Sequence, residues 1–195
     1  MTNNILTDFL PETVIVDGRE YPIRTDFRSG IRFERILFDK KLSDRQKFQK
    51  VMEEFYGEAA PKNKAEALNA VIDFYRCGKK PVKVEETAGE GKPVNKRSIY
   101  DFRHDDAYIY AAFIQQYGID LSTASLHWWK FMALFRSLTD ETLFVKIMGY
   151  RAADTSKIKN RAERERIAKL KEVYALPVEL TYEEKLDMAG AAFRG

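Results

Sequence analysis

Ser43, Asn63 and Thr181 are helix-capping residues that each stand three places before a Gln or Glu: Gln46, Glu66 and Glu184. In such a box the cap side chain accepts from the main-chain N–H three residues on. The Gln or Glu reaches back to the cap's own N–H. Each box fixes a helix start, and apolar stripes at helical spacing follow. The stripes are Phe48, Val51, Met52 and Phe55, then Leu68, Val71, Ile72 and Tyr75, then Tyr182, Leu186, Ala189 and Phe193. Gly57 and Gly78 close the first two, where a left-handed residue ends a helix at little cost. A chain punctuated in this way folds as short helices, each with one wet face.

Other segments fill in the pattern. Asp17-Gly18 lies between β-prone arms over residues 13–24, which predicts a hairpin, since both turn residues tolerate positive φ. Pro22 lacks a ladder donor and suits an edge position. Phe27, Ile31, Leu37 and Phe38 predict a helix from Asp26. Residues 79–98 are rich in Lys, Glu, Pro and Gly and hold little to bury, so they read as a charged linker or loop. A helix from Asp101 is apolar from Tyr108 to Ile114, leaving Asp101, Asp105 and Gln116 to share a thin wet face. Residues 125–136 form the next helix, with Trp128, Phe131, Met132 and Phe135 on one stripe. Asp140 is expected to cap a helix ended by Gly149, and Thr155 or Ser156 to cap a long charged one supported by Glu165 and Lys169.

These readings predict a mainly α, multi-helix protein with an N-terminal β-hairpin. Residues 1–78 form a hairpin plus three-helix part, 79–98 the linker or loop, and 99–195 an aromatic-rich helical part. The two parts can equally form one domain.

Function classes narrow next. Hydrophobic residues make up 45% of the chain and aromatic ones 13%, which supports a packed core rather than disorder. The net charge of +3 is too balanced to argue for nucleic acid in bulk. Cys77 is the sole cysteine, so no intrachain disulfide and no Cys-based zinc site can form. No stretch reaches the ~18 apolar residues of a membrane helix, and the first residues lack the pattern of a secretory signal. A soluble cytosolic protein that does not engage membranes is expected.

Candidate chemistry is sparse. His104-Asp105-Asp106 holds metal-ligand types, but successive helical residues diverge by about 100° and cannot face one ion. Asp101 and Asp105 could share an ion, but no second cluster closes the site, so the segment reads as a solvated helix start. His127 has Ser125 two residues away, which is the wrong spacing for a base and its nucleophile. His127 reads as a polar edge residue on a buried helix. Cys77 sits at a helix end beside Lys79 and Lys80, which would lower its pKa. Gly89-Glu90-Gly91-Lys92 resembles the end of a phosphate loop, but Pro93 follows the lysine and no strand precedes it. No catalytic set, metal or cofactor is expected, and the chain is read as no enzyme.

Residues 151–175 carry a local net charge of +4. Lys157, Lys159 and Arg161 are the candidates there to contact phosphates or an acidic partner. The alternative function built on them is a phage nucleic-acid-binding or DNA-packaging accessory protein. Glu163, Glu165 and Glu172 interrupt the charge, and no aromatic stacks within it before Tyr174, so a solvated helix face is the simpler reading. Trp128 and Trp129 point about 100° apart on a helix. One can fill the core while the other reaches a second helix or a partner. Trp128, Trp129, Leu186 and Phe193 are the expected partner-binding side chains.

Several segments together carry a family resemblance. They are 106–113 (Asp-Ala-Tyr-Ile-Tyr-Ala-Ala-Phe), Tyr117-Gly118-Ile119-Asp120-Leu121 and Leu126-His127-Trp128-Trp129-Lys130-Phe131. Ile147-Met148-Gly149-Tyr150-Arg151, 154–159 and Tyr174-Ala175-Leu176-Pro177 continue them. The chain resembles the bacteriophage gp-fifteen family of tail proteins over nearly its whole length. That resemblance implies a non-enzymatic tail assembly chaperone of long-tailed siphophages or related prophages. Such a protein binds the tape measure protein and keeps it soluble while tube subunits polymerise around it. It acts in the cytoplasm of the bacterial host and is absent from the mature virion. The major tail protein and a neighbouring tail chaperone are further implied partners. A protein that wraps a rod-like client can form a homo-oligomeric ring or spiral, and a hairpin with a free edge offers one way to pair chains.

Overall fold

A computed structural model describes residues 4–79 and 99–176. The third predicted capping box and its helix, with Leu186 and Phe193, lie outside the described residues. So do the phosphate-loop-like segment and nearly all of the charged linker. The described chain forms an antiparallel hairpin of β1 (Thr13–Val16) and β2 (Arg19–Pro22), followed by helices. These are α1 (Phe27–Phe38), α2 (Asp44–Tyr56), α3 (Lys64–Tyr75), α4 (Asp106–Tyr117), α5 (Trp128–Arg136), α6 (Leu143–Ala152) and α7 (Arg161–Val173). The predicted class, mainly α with an N-terminal hairpin, is the class observed.

The described residues form two compact units. Residues 4–79 and 125–133 make the first, and residues 99–124 and 134–176 make the second. The chain thus leaves the first unit, returns to it for residues 125–133, and leaves again within α5.

In the first unit the hairpin turns at Asp17 and Gly18, with φ of 50° and 71°, and Pro22 pairs with Thr13 at the open end. Ser43 and Gln46 make the complete predicted box at the start of α2. The Asn63 box is used differently. Asn63 accepts from Glu66 N–H, but the Glu66 carboxylate takes the Asp17 N–H of the hairpin turn at 3.0 Å. Asn63 Nδ2 donates to the Asp17 carboxylate at 2.8 Å, which holds that carboxyl below its ordinary range. The helix cap therefore docks the hairpin.

The core of this unit is aromatic. Tyr75, Trp128, Phe131 and Phe27 stack in series, with centroids 5.0, 5.7 and 4.8 Å apart and planes within 20° of one another. Phe33 lies tilted against Tyr75, centroids 4.8 Å apart, and meets Phe55 edge-on. Gly30 in mid-α1 is explained by this stack: a Cβ built there would lie 2.3 Å from Trp128 Cε3. Glycine costs an exposed helix about 1 kcal/mol against alanine, and here it admits the indole.

The second unit packs Tyr100, Phe102, Phe135 and Phe144 as tilted and edge-on rings, with Phe113 and Ile147 fully buried nearby. Several helix boundaries differ from those predicted. Thr142, not Asp140, caps α6 by accepting from Val145 N–H, and α6 runs past Gly149 to Ala152. Thr155 and Ser156 form a single 3-10 turn after Asp154, and Asn160 caps α7 instead. Glu165 pairs with Arg161 at 2.8 Å, on its N-terminal side. In each case a second good capping residue lay within a few positions of the one predicted, and the turn geometry chose between them.

Candidate functional site

The predicted helix over 125–136 starts late. Leu126 and His127 instead make an antiparallel bridge to the stretch before α1. Leu126 C=O accepts from Phe27 N–H at 2.9 Å, and Trp128 N–H donates to Thr25 C=O at 2.6 Å. His127 then serves as a cap. Its Nδ1 accepts from Trp129 N–H at 3.1 Å, so Nε2 carries the proton and donates to Pro11 C=O at 3.1 Å. Burial holds the imidazole pKa below its ordinary value, keeping the ring neutral. A residue expected at a polar edge is thus half-buried and spends both ring nitrogens on main chain.

The two tryptophans are 1% and 8% exposed. Trp128 Nε1 donates to Tyr75 C=O and Trp129 Nε1 to Phe74 C=O, each at 2.8 Å. Both are carbonyls of the last turn of α3, where regular helical partners run out; Phe74 C=O also accepts from Cys77 N–H at 2.9 Å, and Tyr75 C=O from the Cys77 thiol at 3.8 Å. The adjacent pair, diverging by about 100°, straddles that helix end. Of the two places open to the second indole, a helix or a partner, it takes a helix. Trp128 presents no surface, whereas Trp129 leaves part of its ring on the wall of a groove.

That groove, about 370 Å³ and open to solvent, runs between β1 and α3. Val14, Ile15, Ala70, Phe74 and Trp129 give it an apolar floor, and Glu66 and Asp73 stand on its rim.

The second unit offers a different surface. The apolar run of α4 was expected to be buried almost all round, yet only Ile109, Ala112 and Phe113 are buried. Ala107, Tyr110, Ala111 and Ile114 are exposed at i, i+3, i+4 and i+7, which is one helix face. Tyr110 is 39% and Ile114 40% exposed. Desolvation first, then the nearby Asp120 carboxylate, raises the Tyr110 phenol pKa.

Asp105, assigned from its spacing to the wet face of this helix, is 1% exposed. It forms a two-pronged pair with Arg151, Nη1 to Oδ2 at 2.7 Å and Nη2 to Oδ1 at 2.8 Å. Asp105 Oδ2 also accepts from Asp101 N–H. Arg151 donates further to Tyr174 C=O at 2.6 Å and Ile99 C=O at 3.0 Å. The reading of 104–106 as a solvated helix start holds for His104 and Asp106 and fails for Asp105. Its partner stands 46 residues away, and no local periodicity reports it.

That pairing takes Arg151 out of the basic run. The rest of the run is interleaved with acid: Lys157 with Asp154 at 3.5 Å, Arg161 with Glu165, and Arg166 with Glu163. Lys157, Lys159 and Arg161 are exposed. They lie on a helix and turn where basic and acidic side chains alternate, as on a solvated face, while the stretch keeps a net positive charge.

The described chain is thus a set of short helices behind an N-terminal hairpin, with apolar surface left uncovered on α4. It belongs to the family described as Bacteriophage Gp15 protein, which matches residues 6–176. Membership makes it a bacteriophage protein and points to a structural or morphogenetic role. No curated protein and no solved structure matches the chain. Among the described residues no helix is long and apolar enough to cross a membrane.

Proposed function

We propose that this protein is a tail assembly chaperone. Without catalytic chemistry of its own, it binds the phage tape measure protein and keeps that client soluble while the tail tube forms. Family membership sets the phage context. The observation that carries the reading is the exposed stripe of α4, from Ala107 to Ile114. A helix apolar all round is ordinarily buried. One whose second apolar face lies open suits an amphipathic client helix read through anchors at i, i+3, i+4 and i+7.

The test is coexpression with the tape measure protein, comparing the wild type with a Tyr110→Lys, Ile114→Asp variant whose circular dichroism and melting temperature match. The wild type is expected to hold the client in the soluble fraction and the variant to lose most of that capture. A client that stays insoluble beside the wild type ends the proposal. Action in the host cytoplasm and absence from the virion belong to the same reading. Mass spectrometry of purified particles should find the tube protein and not this chain. The major tail protein and a neighbouring chaperone are further proposed partners, each testable by the same pull-down.

A further inference from the structure

The first unit carries an apolar arm and, at the arm's root, the open groove between β1 and α3. The arm is a built turn. Asp8 N–H donates to Asn4 C=O at 2.8 Å, Asn4 Oδ1 accepts from Leu6 N–H, and Asp8 Oδ2 accepts from Asn4 N–H. Leu6 lies within that turn and Phe9 just beyond it, and they are 89% and 99% exposed. The Asp8 carboxylate is engaged within the turn, by Asn4 N–H and Thr7 Oγ1.

The root of the arm is clamped. Pro11 fixes its own φ and holds Leu10 extended. The Pro11 carbonyl accepts from His127 Nε2, and the next carbonyl, that of Glu12, accepts from Ile23 N–H at 3.0 Å. Pro11 is itself part of the groove wall. Reaching its own groove would require the arm to reverse direction at this clamped proline.

We propose that the groove receives the arm of a second copy of this chain. Two molecules exchange arms about a two-fold axis, with Leu6 and Phe9 of each seated on Val14, Ile15, Ala70 and Trp129 of the other. Arm and groove adjoin on one unit, so a single two-fold operation fills both grooves at once and closes the assembly at a dimer. Residues 4–10 and the ten residues lining the groove fall just short of the roughly 20–30 per side of a stable interface. The dimer is accordingly weak, with Kd on the order of micromolar or above.

Analytical ultracentrifugation of the full chain across a wide concentration range tests this. A monomer–dimer equilibrium is expected. Leu6→Ser with Phe9→Ser, and separately Ala70→Glu in the groove, should each weaken it at least tenfold with the melting temperature preserved. A Leu6→Cys, Asn69→Cys variant in a Cys77→Ser background should oxidise to a disulfide-linked dimer. An intrachain disulfide would mean that the arm folds into its own groove, and the proposal fails. It fails equally if the wild type stays monomeric throughout, or if a dimer forms that neither arm nor groove variant weakens. The arm lies outside α4, so a wild type that dimerises as expected yet leaves the tape measure protein insoluble counts against the chaperone reading alone.

Discussion

The two units solve the same problem by opposite means. In the first, the long-range tie is aromatic: two indoles from α5 cover the end of α3, and the ring stack carries on to Phe27 of α1. Its polar groups are paired singly: each indole N–H donates to a carbonyl at the end of α3, and the buried Tyr75 hydroxyl donates to the buried Glu34 carboxylate at 2.8 Å. In the second, the tie is ionic. Arg151 on α6 gathers the Asp105 carboxylate before α4, the Tyr174 carbonyl after α7 and the Ile99 carbonyl. An aromatic tie gains from burial alone. A buried ion pair is stable only while every member is present, because a lone partner leaves a charge without water or counter-charge.

The comparison breaks first at its two hubs. Trp128→Ala should cost about 3–5 kcal/mol for the lost ring, with about 1 kcal/mol more for the lost hydrogen bond to the Tyr75 carbonyl. Both tryptophans lie in the first unit, so denaturant titration followed by the remaining Trp129 fluorescence reads that loss where it occurs. Arg151→Ala should cost roughly 3–5 kcal/mol by stranding Asp105. Hydrogen exchange should rise in α6 and α7. If the double change Asp105→Leu, Arg151→Met recovers part of that loss while Trp128→Leu recovers little, the contrast between the ties holds. Equal behaviour would erase it.

How much of this was legible in the sequence follows the same division. The stripe Trp128, Phe131, Met132 and Phe135 is buried as its spacing requires, because apolar periodicity reports burial directly. The Asp17-Gly18 turn and the Ser43 box were equally local and equally readable. Asp105 was misplaced because its spacing on α4 is compatible with water, and only Arg151, far along the chain, makes its burial tolerable. The α4 stripe failed in the opposite sense. Tyr110 and Ile114 are apolar, yet nothing in the unit covers them to the degree their residue types suggest. Glu66 was read as half of a helix cap and turned out to anchor the hairpin. Of the expected partner-binding residues, Trp128 is spent on the core and Trp129 keeps one ring edge in the groove. The groove, the arm and the Arg151 hub were beyond local pattern, since each is assembled from segments distant in sequence.

A smaller effect sharpens the account of the aromatic tie. Gly30→Ala gains helix propensity of about 1 kcal/mol but drives a methyl into the Trp128 ring. Overpacking of this kind costs about 1–3 kcal/mol, so a net destabilisation is expected by chemical denaturation. Trp128→Phe removes the ring atoms that the methyl would meet. In that background the same glycine change should cost less, and the coupling appears in a double-mutant cycle. An additive cycle would mean that Gly30 is present for some reason other than the indole.

The smallest effect is a pH dependence at the point where the aromatic tie meets the hairpin. Folding lowers the His127 pKa, chiefly by burial, because the neutral ring must accept from Trp129 N–H while donating to Pro11 C=O. The nearby Lys130 pushes in the same direction, whereas Glu12 and the Pro11 carbonyl oppose it. The unfolded chain therefore binds the proton more readily than the folded one, and stability rises with pH over this window. The contribution is complete above the ordinary histidine pKa of about 6.5 and declines as pH falls toward the lowered folded value. Asp17, whose carboxyl Asn63 holds below its ordinary range, gives a second loss of the same sign only in the acid range near and below 4. Denaturation midpoints at pH 7.5 and 5.5 thus isolate the histidine, and the midpoint should fall between them. His127→Asn, which can still cap through its amide oxygen, should flatten that fall. If the slope persists in the variant, the pH-sensitive group lies elsewhere and this account of the cap fails.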